Sequence, residues 1–256
     1  MDRAVAAGLS RLLIPGWDVA SSLAGAAIAA QIGWARVAIG VHPSAADLAS
    51  EERSSLLARV ADSHISAVGE TGIDTKRYGV PLAVQRANLD AHLAVSLEWG
   101  KPLILHCRSA AGSDIAQREL IAALRAAGFG DASATRAFAG RVPFILHSAS
   151  GAASYVDEAL ALGGGISISG LAFRPEEAAT GEWVRDVPVD RLLTETDAPW
   201  LAMPGVPDPH RNEPANVRLT LAWLADRRQT DPAALAAQLV ENFDRIFLPG
   251  GGPSVP

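Results

Sequence analysis

Apolar residues fall in short continuous runs along this chain, and between the runs they recur at helical spacing. Seven runs are rich in Val, Ile and Leu: Arg11 to Gly16 (RLLIPG), Arg36 to Pro43 (RVAIGVHP), Ser66 to Asp74 (SAVGETGID), Pro102 to Arg108 (PLILHCR), Pro143 to Ser150 (PFILHSAS), Gly165 to Gly170 (GISISG) and Arg191 to Trp200 (RLLTETDAPW). Each is apolar nearly throughout its first half and ends in polar, Gly or Pro residues, the pattern of a strand covered on both faces that emerges into a loop at its carboxyl end. Helical spacing marks Val80 to Trp99, Asp114 to Ala127 and Pro214 to Arg228. The stretch Asp231 to Phe247 opens on Asp-Pro, an acid for the N-cap and a proline for the first helical position. This alternation predicts an α/β fold, a parallel sheet with crossover helices. Gly128 to Arg141 reads as a polar, glycine-bearing insertion, Pro204 to Pro214 as a long loop, and Met1 to Gly8 as the back half of a helix leading into the first strand. A closed eight-stranded barrel needs one strand more than these seven, and the missing element is the first.

Length and composition fit that reading. The chain has 256 residues, 49% of them hydrophobic and 20% charged, close to the roughly 250 of a single α/β barrel. One domain over 1–248 is expected, with a flexible tail, PGGGPSVP, over 249–256. A net charge of −6 excludes a broad basic surface, so any polyanion has to be gripped locally. The single cysteine, Cys107, excludes an internal disulfide framework and a cysteine-based zinc module. It suits a reducing compartment, and the cytoplasm is expected. No apolar run approaches the roughly 20 residues of a membrane span.

The polar residues that close the runs sit at one end of the predicted strands: His42, Glu70, His106, His147 and Asp197. Parallel strands would deliver them to one barrel mouth, where (β/α)8 enzymes keep their active sites. Nitrogen and carboxylate donors of this kind suit Zn2+, Mn2+ or Mg2+. A lone strand-end histidine is commonly a hydrogen-bonded core residue, but two of them after near-identical runs, PLILH and PFILH, point to ligands. Glu70 lies between glycines in VGETGID, where a carboxylate is costly unless paired or metal-bound. Asp197, just ahead of Ala-Pro, could also serve as a turn or helix cap. Cys107 neighbours His106 and therefore points to the opposite face, into the helix layer. Arg108 returns to the inner rim, to hold an anionic substrate or a rim salt bridge. His64, His92 and His210 read as solvated or packing residues, and Gly163 to Gly165 as a loop turning into a strand.

Taken together, IGVHP (Ile39 to Pro43), GETGID (Gly69 to Asp74), LILHCR (Leu103 to Arg108), ILHSASG (Ile145 to Gly151), SISG (Ser167 to Gly170), LLTETDAPW (Leu192 to Trp200), RNEP (Arg211 to Pro214) and NFDRIF (Asn242 to Phe247) resemble the TatD-type metal-dependent deoxyribonucleases of the amidohydrolase superfamily. The resemblance runs in order over almost the whole chain. It implies a TIM (β/α)8-type barrel and divalent-metal-dependent hydrolysis of phosphodiesters, commonly exonucleolytic, with DNA as the substrate and one or two Mg2+, Mn2+ or Zn2+ ions. The metal ligands it implies are Glu70, His106, His147 and Asp197, with Glu70 and Asp197 catalytic and with His42 and Arg108 on the substrate side. The family opens on a strand ending in His-x-His, and no such pair occurs in these 256 residues. The expectation is that this strand is encoded upstream of Met1, and that the chain as it stands holds at most one ion tightly. Ser148, Ala149 and Thr71 depart from the family's usual residues. A carboxylated lysine bridge is disfavoured, since neither lysine, Lys76 or Lys101, ends a strand. Two further readings are a truncated paralogue that binds a partner without catalysing, and another superfamily hydrolase acting on a small ester or amide.

Overall fold

The computed structural model describes residues 1–77, 79–206, 208 and 210–248. All seven runs contain a strand: β1 Leu12–Pro15, β2 Ala35–Ile39, β3 Ile65–Asp74, β4 Leu103–Arg108, β5 Phe144–Leu146, β6 Gly165–Ile168 and β7 Leu192–Thr194. They form one sheet in the order β1-β2-β3-β4-β5-β6-β7, with every neighbouring pair parallel. The helices are α1 Asp2–Ala6, α2 Val19–Ala29, α3 Ser50–Ala58, α4 Leu82–Trp99, α5 Ile115–Ala126, α6 Ala132–Ala137, α7 Ala153–Ala161, α8 Ala178–Trp183, α9 Val217–Arg228 and α10 Pro232–Phe247. Asp231 caps α10 as its sequence predicts, its carboxylate accepting the Ala234 N–H at 2.8 Å. The first residues of the predicted helix over Pro214 to Arg228 form instead a 3-10 turn, Pro214–Asn216. The tail expected over 249–256 lies outside the described residues.

Strands this apolar are covered on both faces. One face meets the helices in a large core that includes Val37, Ile39, Val68, Leu103, Leu105 and Leu146. The other curls inward: Ala38, Ala67, Ile104, Ile145 and Leu193 form a second cluster with Phe243, Ile246 and Phe247 of α10. Among the described residues β1 and β7 are each paired on one side only. The flank between them is nevertheless covered. Arg11, next to β1, grips Asp244 of α10 through two bonds of 2.5 and 2.8 Å, while α10 packs along β7. Helix α1 adds a second tie, Arg3 to Glu213 at 2.7 Å.

The segment Gly128 to Arg141 corrects its sequence reading. It holds α6, and Phe129 and Phe138 on either side of that helix are buried with Phe144, ring centroids 5.8 to 6.0 Å from Phe129. Two large aromatic side chains outweigh the polar residues around them, because each buries far more apolar area than the short polar residues expose.

His64 and His210 are exposed, whereas His92 is wholly buried in α4. Its Nε2 accepts the Val41 N–H at 3.0 Å and its Nδ1 donates to the Asn88 carbonyl at 2.7 Å, which pins the backbone just before His42. Burial pushes its pKa down to about 4 from 6.5. Between those values the unfolded chain binds the proton and the folded chain does not, so this contribution to stability is complete above pH 6.5 and declines as pH falls toward 4. The wild type should therefore lose up to about 3 kcal/mol relative to a His92→Gln variant between pH 7 and pH 4. Urea unfolding of both proteins across that range reads the difference, and a constant gap contradicts it.

Candidate metal centre

The carboxyl ends of β2, β3, β4, β5 and β7 bring His42, Glu70, His106, His147 and Asp197 together, as the run ends predict. His147 directly follows β5, and Asp197 leaves β7 through a left-handed turn at φ 59°. Strand β3 passes very close to β4. At Gly72, where φ is 146°, an added Cβ would collide with the His106 carbonyl, so only glycine lets the two strands approach and set Glu70 and Asp74 on either side of the His106 ring.

Glu70 is the hub. Its Oε1 lies 3.0 Å from His106 Nδ1, 3.7 Å from His42 Nε2 and 3.8 Å from His147 Nε2. The remaining nitrogen of His106, Nε2, lies 2.9 Å from Oδ2 of the fully buried Asp74, whose Oδ1 accepts the N–H groups of Lys76 and Arg77 at 2.7 and 3.0 Å. His147 repeats the arrangement. Its Nδ1 sits 2.6 Å from Glu195 Oε2 and its Nε2 lies 3.3 Å from Asp197 Oδ1. Glu195 Oε1 accepts the Ser148 N–H and the Ser167 hydroxyl, both at 2.5 Å. A carboxylate is thus set behind each histidine to take one ring proton and leave the other nitrogen facing the space around Glu70, the support that metal-binding histidines ordinarily have. His42 differs: its Nδ1 accepts the Ser44 N–H at 3.1 Å, so the ring carries its proton on Nε2, toward Glu70.

Two of these residues, Asp74 and Glu195, are absent from the sequence-predicted set. The alternation that puts Arg108 on the same side as His106 also puts Glu195 on the side of Asp197, and Asp74 closes the run that carries Glu70.

The family model described as TatD related DNase matches residues 1–248. This chain belongs to the TatD family. Among its relatives, the 3'-5' ssDNA/RNA exonuclease TatD of Erwinia amylovora is 32% identical over 252 residues, covering 96% of this chain and 91% of that protein. A Mycobacterium tuberculosis protein described as an uncharacterized metal-dependent hydrolase TatD is 31% identical, covering 96% and 89%. The crystal structure of YjjV, a TatD homologue of Escherichia coli, superposes with a TM-score of 0.83 at 23% identity, over 96% of this chain and 89% of that one, so the barrel fold is shared.

The TatD site of this chain fits a divalent cation on its own geometry. Ligand atoms about 2.0 to 2.1 Å from one ion stand about 3.0 to 3.4 Å from each other. Among the atoms that face this space, Glu70 and His106 stand 3.0 Å apart, His147 and Asp197 3.3 Å, and Glu70 and His147 3.8 Å. Two clusters of possible ligands adjoin here, His42 with Glu70 and His106, and His147 with Glu195 and Asp197, and the 3.8 Å between Glu70 Oε1 and His147 Nε2 links them. Electrostatics point the same way. Burial alone would raise the Glu70 pKa, yet the charges of His147, His106 and His42 hold it well below the usual carboxylate range. His147 is pushed well up against its own burial by Glu195, Glu70 and Asp197, and His106 is raised against burial by Asp74 and Glu70. His42 goes the other way, down to about 4, through burial and the nearby charge of His106, whose ring centroid is 4.3 Å away. Asp197 is raised by its burial and by the charges of Glu195 and Glu70, against the pull of His147, so the carboxylates crowded around these imidazole nitrogens call for a cation.

Arg108 donates to the Ser150 hydroxyl at 2.7 Å, and among the described residues it forms no rim salt bridge. Cys107 packs against the main core, and burial pushes its thiol up to about 12, which removes it as a nucleophile. No described helix is long and apolar enough to cross a membrane.

Proposed function

We propose that this TatD protein is a divalent-metal-dependent phosphodiesterase that degrades single-stranded nucleic acid from an end, in the manner named for its Erwinia relative. The observation that carries the reading is Glu70 Oε1 within 3.8 Å of both His106 Nδ1 and His147 Nε2, with each histidine backed by a carboxylate. Glu70, His106, His147 and Asp197 hold the metal. Two nitrogens and two carboxylates suit Mn2+ or Zn2+ and admit Mg2+. When bound, the ion polarises a phosphoryl oxygen and acidifies a water.

The chain's own residues supply the rest. Asp197 Oδ1 faces His147 at 3.3 Å, and its Oδ2 accepts the proton of the attacking water. His42 directs its Nε2–H toward the same space and binds a phosphoryl oxygen, while Arg108, held by Ser150, steadies the neighbouring phosphate. Asp74 and Glu195 fix the imidazole tautomers and do not touch the substrate. The barrel over 1–248 acts as one domain, and the lone cysteine supports a cytoplasmic setting.

The test is hydrolysis of a labelled single-stranded oligonucleotide. Activity is expected with Mn2+, Mg2+ or Zn2+, is lost with a chelator, and returns when the ion is restored. Unchanged cleavage after chelation, or no cleavage with any of the three ions, contradicts the proposal.

A further inference from the structure

Three of the six tryptophans are largely exposed. Trp99 ends α4 at the amino-terminal face of the sheet. The other two stand on the carboxyl-end rim, one after each terminal strand: Trp17 follows β1 and is 47% exposed, and Trp200 follows β7 and is 63% exposed. A large indole left in water is unusual away from a binding surface, and neither ring belongs to an apolar cluster.

Both are tied to the metal centre through the backbone. The Trp17 carbonyl accepts the His42 N–H at 2.8 Å, and the Trp200 N–H donates to the Asp197 carbonyl at 2.7 Å. Both are also held in place. Trp17 Nε1 donates to Asp18 Oδ2 at 3.1 Å, and Asp18 is itself fixed as the cap of α2 by Ser21. The Trp200 carbonyl accepts from Asn212 Nδ2 at 2.9 Å, and the same amide holds the Thr196 carbonyl at 2.7 Å. Burying an aromatic face against a ligand costs less when the backbone beneath it is already fixed.

The cations of the same rim complete the pattern. Lys76, Arg77, Arg174 and Arg211 lie on loops that follow β3, β6 and β7, Arg108 closes β4, and among the described residues none is ion-paired with a carboxylate. In a chain of net charge −6 these are local grips for phosphates. Exposed aromatic faces beside unpaired cations are the chemistry that holds unpaired bases on a phosphate backbone, and a duplex keeps its base faces stacked inside.

We propose that Trp17 and Trp200 are stacking platforms for unpaired bases, gripping a single strand on both sides of the gap between β1 and β7 so that a phosphodiester comes to rest at Glu70. The inference rests on the nuclease reading and deepens it by naming the residues that select a single strand.

Steady-state kinetics on oligothymidylate and on methyl p-nitrophenyl phosphate, which carries no bases, test it with Trp17→Ala, Trp200→Ala and Trp200→Phe. Each alanine variant should raise KM for the oligonucleotide about tenfold, the scale of one lost base stack, with kcat unchanged. Both should leave hydrolysis of the small ester intact, and Trp200→Phe should recover most of the affinity. Quenching of indole fluorescence by oligothymidylate in excess chelator gives a readout independent of catalysis, and it should weaken in both alanine variants. An unchanged oligonucleotide KM, or equal losses on both substrates, overturns the platforms. A wild type that cleaves the small ester and no oligonucleotide defeats the nuclease reading instead, and the quenching titration then still decides the stacking.

Discussion

Glu70→Gln should remove nearly all hydrolysis, a fall on the order of a thousandfold in kcat, and most of the bound metal with it. The substitution keeps the shape and deletes the charge at the one atom that faces His106, His42 and His147 together. A glutamine with its amide oxygen in that position offers a neutral acceptor, and one with its NH2 there turns donor hydrogens toward all three rings, so in either orientation the ring nitrogens lose the carboxylate that joins them. Metal content by elemental analysis and kcat on an oligonucleotide should fall together while the unfolding midpoint shows that the variant is folded. Retained metal and retained rate would place the hub elsewhere.

Glu195→Gln should have the next largest effect, a loss of about 10- to 100-fold in metal affinity and activity although this residue touches no substrate. Glu195 accepts three hydrogen bonds, from Ser148, Ser167 and His147. A glutamine cannot satisfy all three. If its NH2 group faces His147, Nδ1 must become the acceptor and Nε2 takes the proton, so the nitrogen that faces Glu70 and Asp197 is blocked. A weaker metal titration that excess Mn2+ partly rescues is the signature of a positioning residue. A defect in kcat that no metal concentration relieves would instead put Glu195 in contact with the reaction.

Much of this was legible in the sequence because the chemistry rides on strand ends. PLILH and PFILH each announce a buried strand and a histidine at its mouth, and GETGID and TETDAPW do the same for the acids. Asp74 and Glu195 are less legible, because a carboxylate behind a histidine is recognised only once the ring is in place. The burial of Phe129 and Phe138 was hidden by the glycines and charges around them. The covered flank was the least legible feature of all. Arg11 and Asp244 are 233 residues apart, and no local pattern encodes a contact that exists only after the sheet has curled and α10 has packed along β7.

The proposed ion is held by one donor set drawn from four strand ends. The most direct test is anomalous diffraction at the manganese edge from crystals of the full chain grown with Mn2+. The expected result is a peak bonded to Glu70, His106 Nδ1, His147 Nε2 and Asp197, with Asp74 and Glu195 behind the two histidines. A peak ligated by other residues, or none at saturating Mn2+, would contradict it.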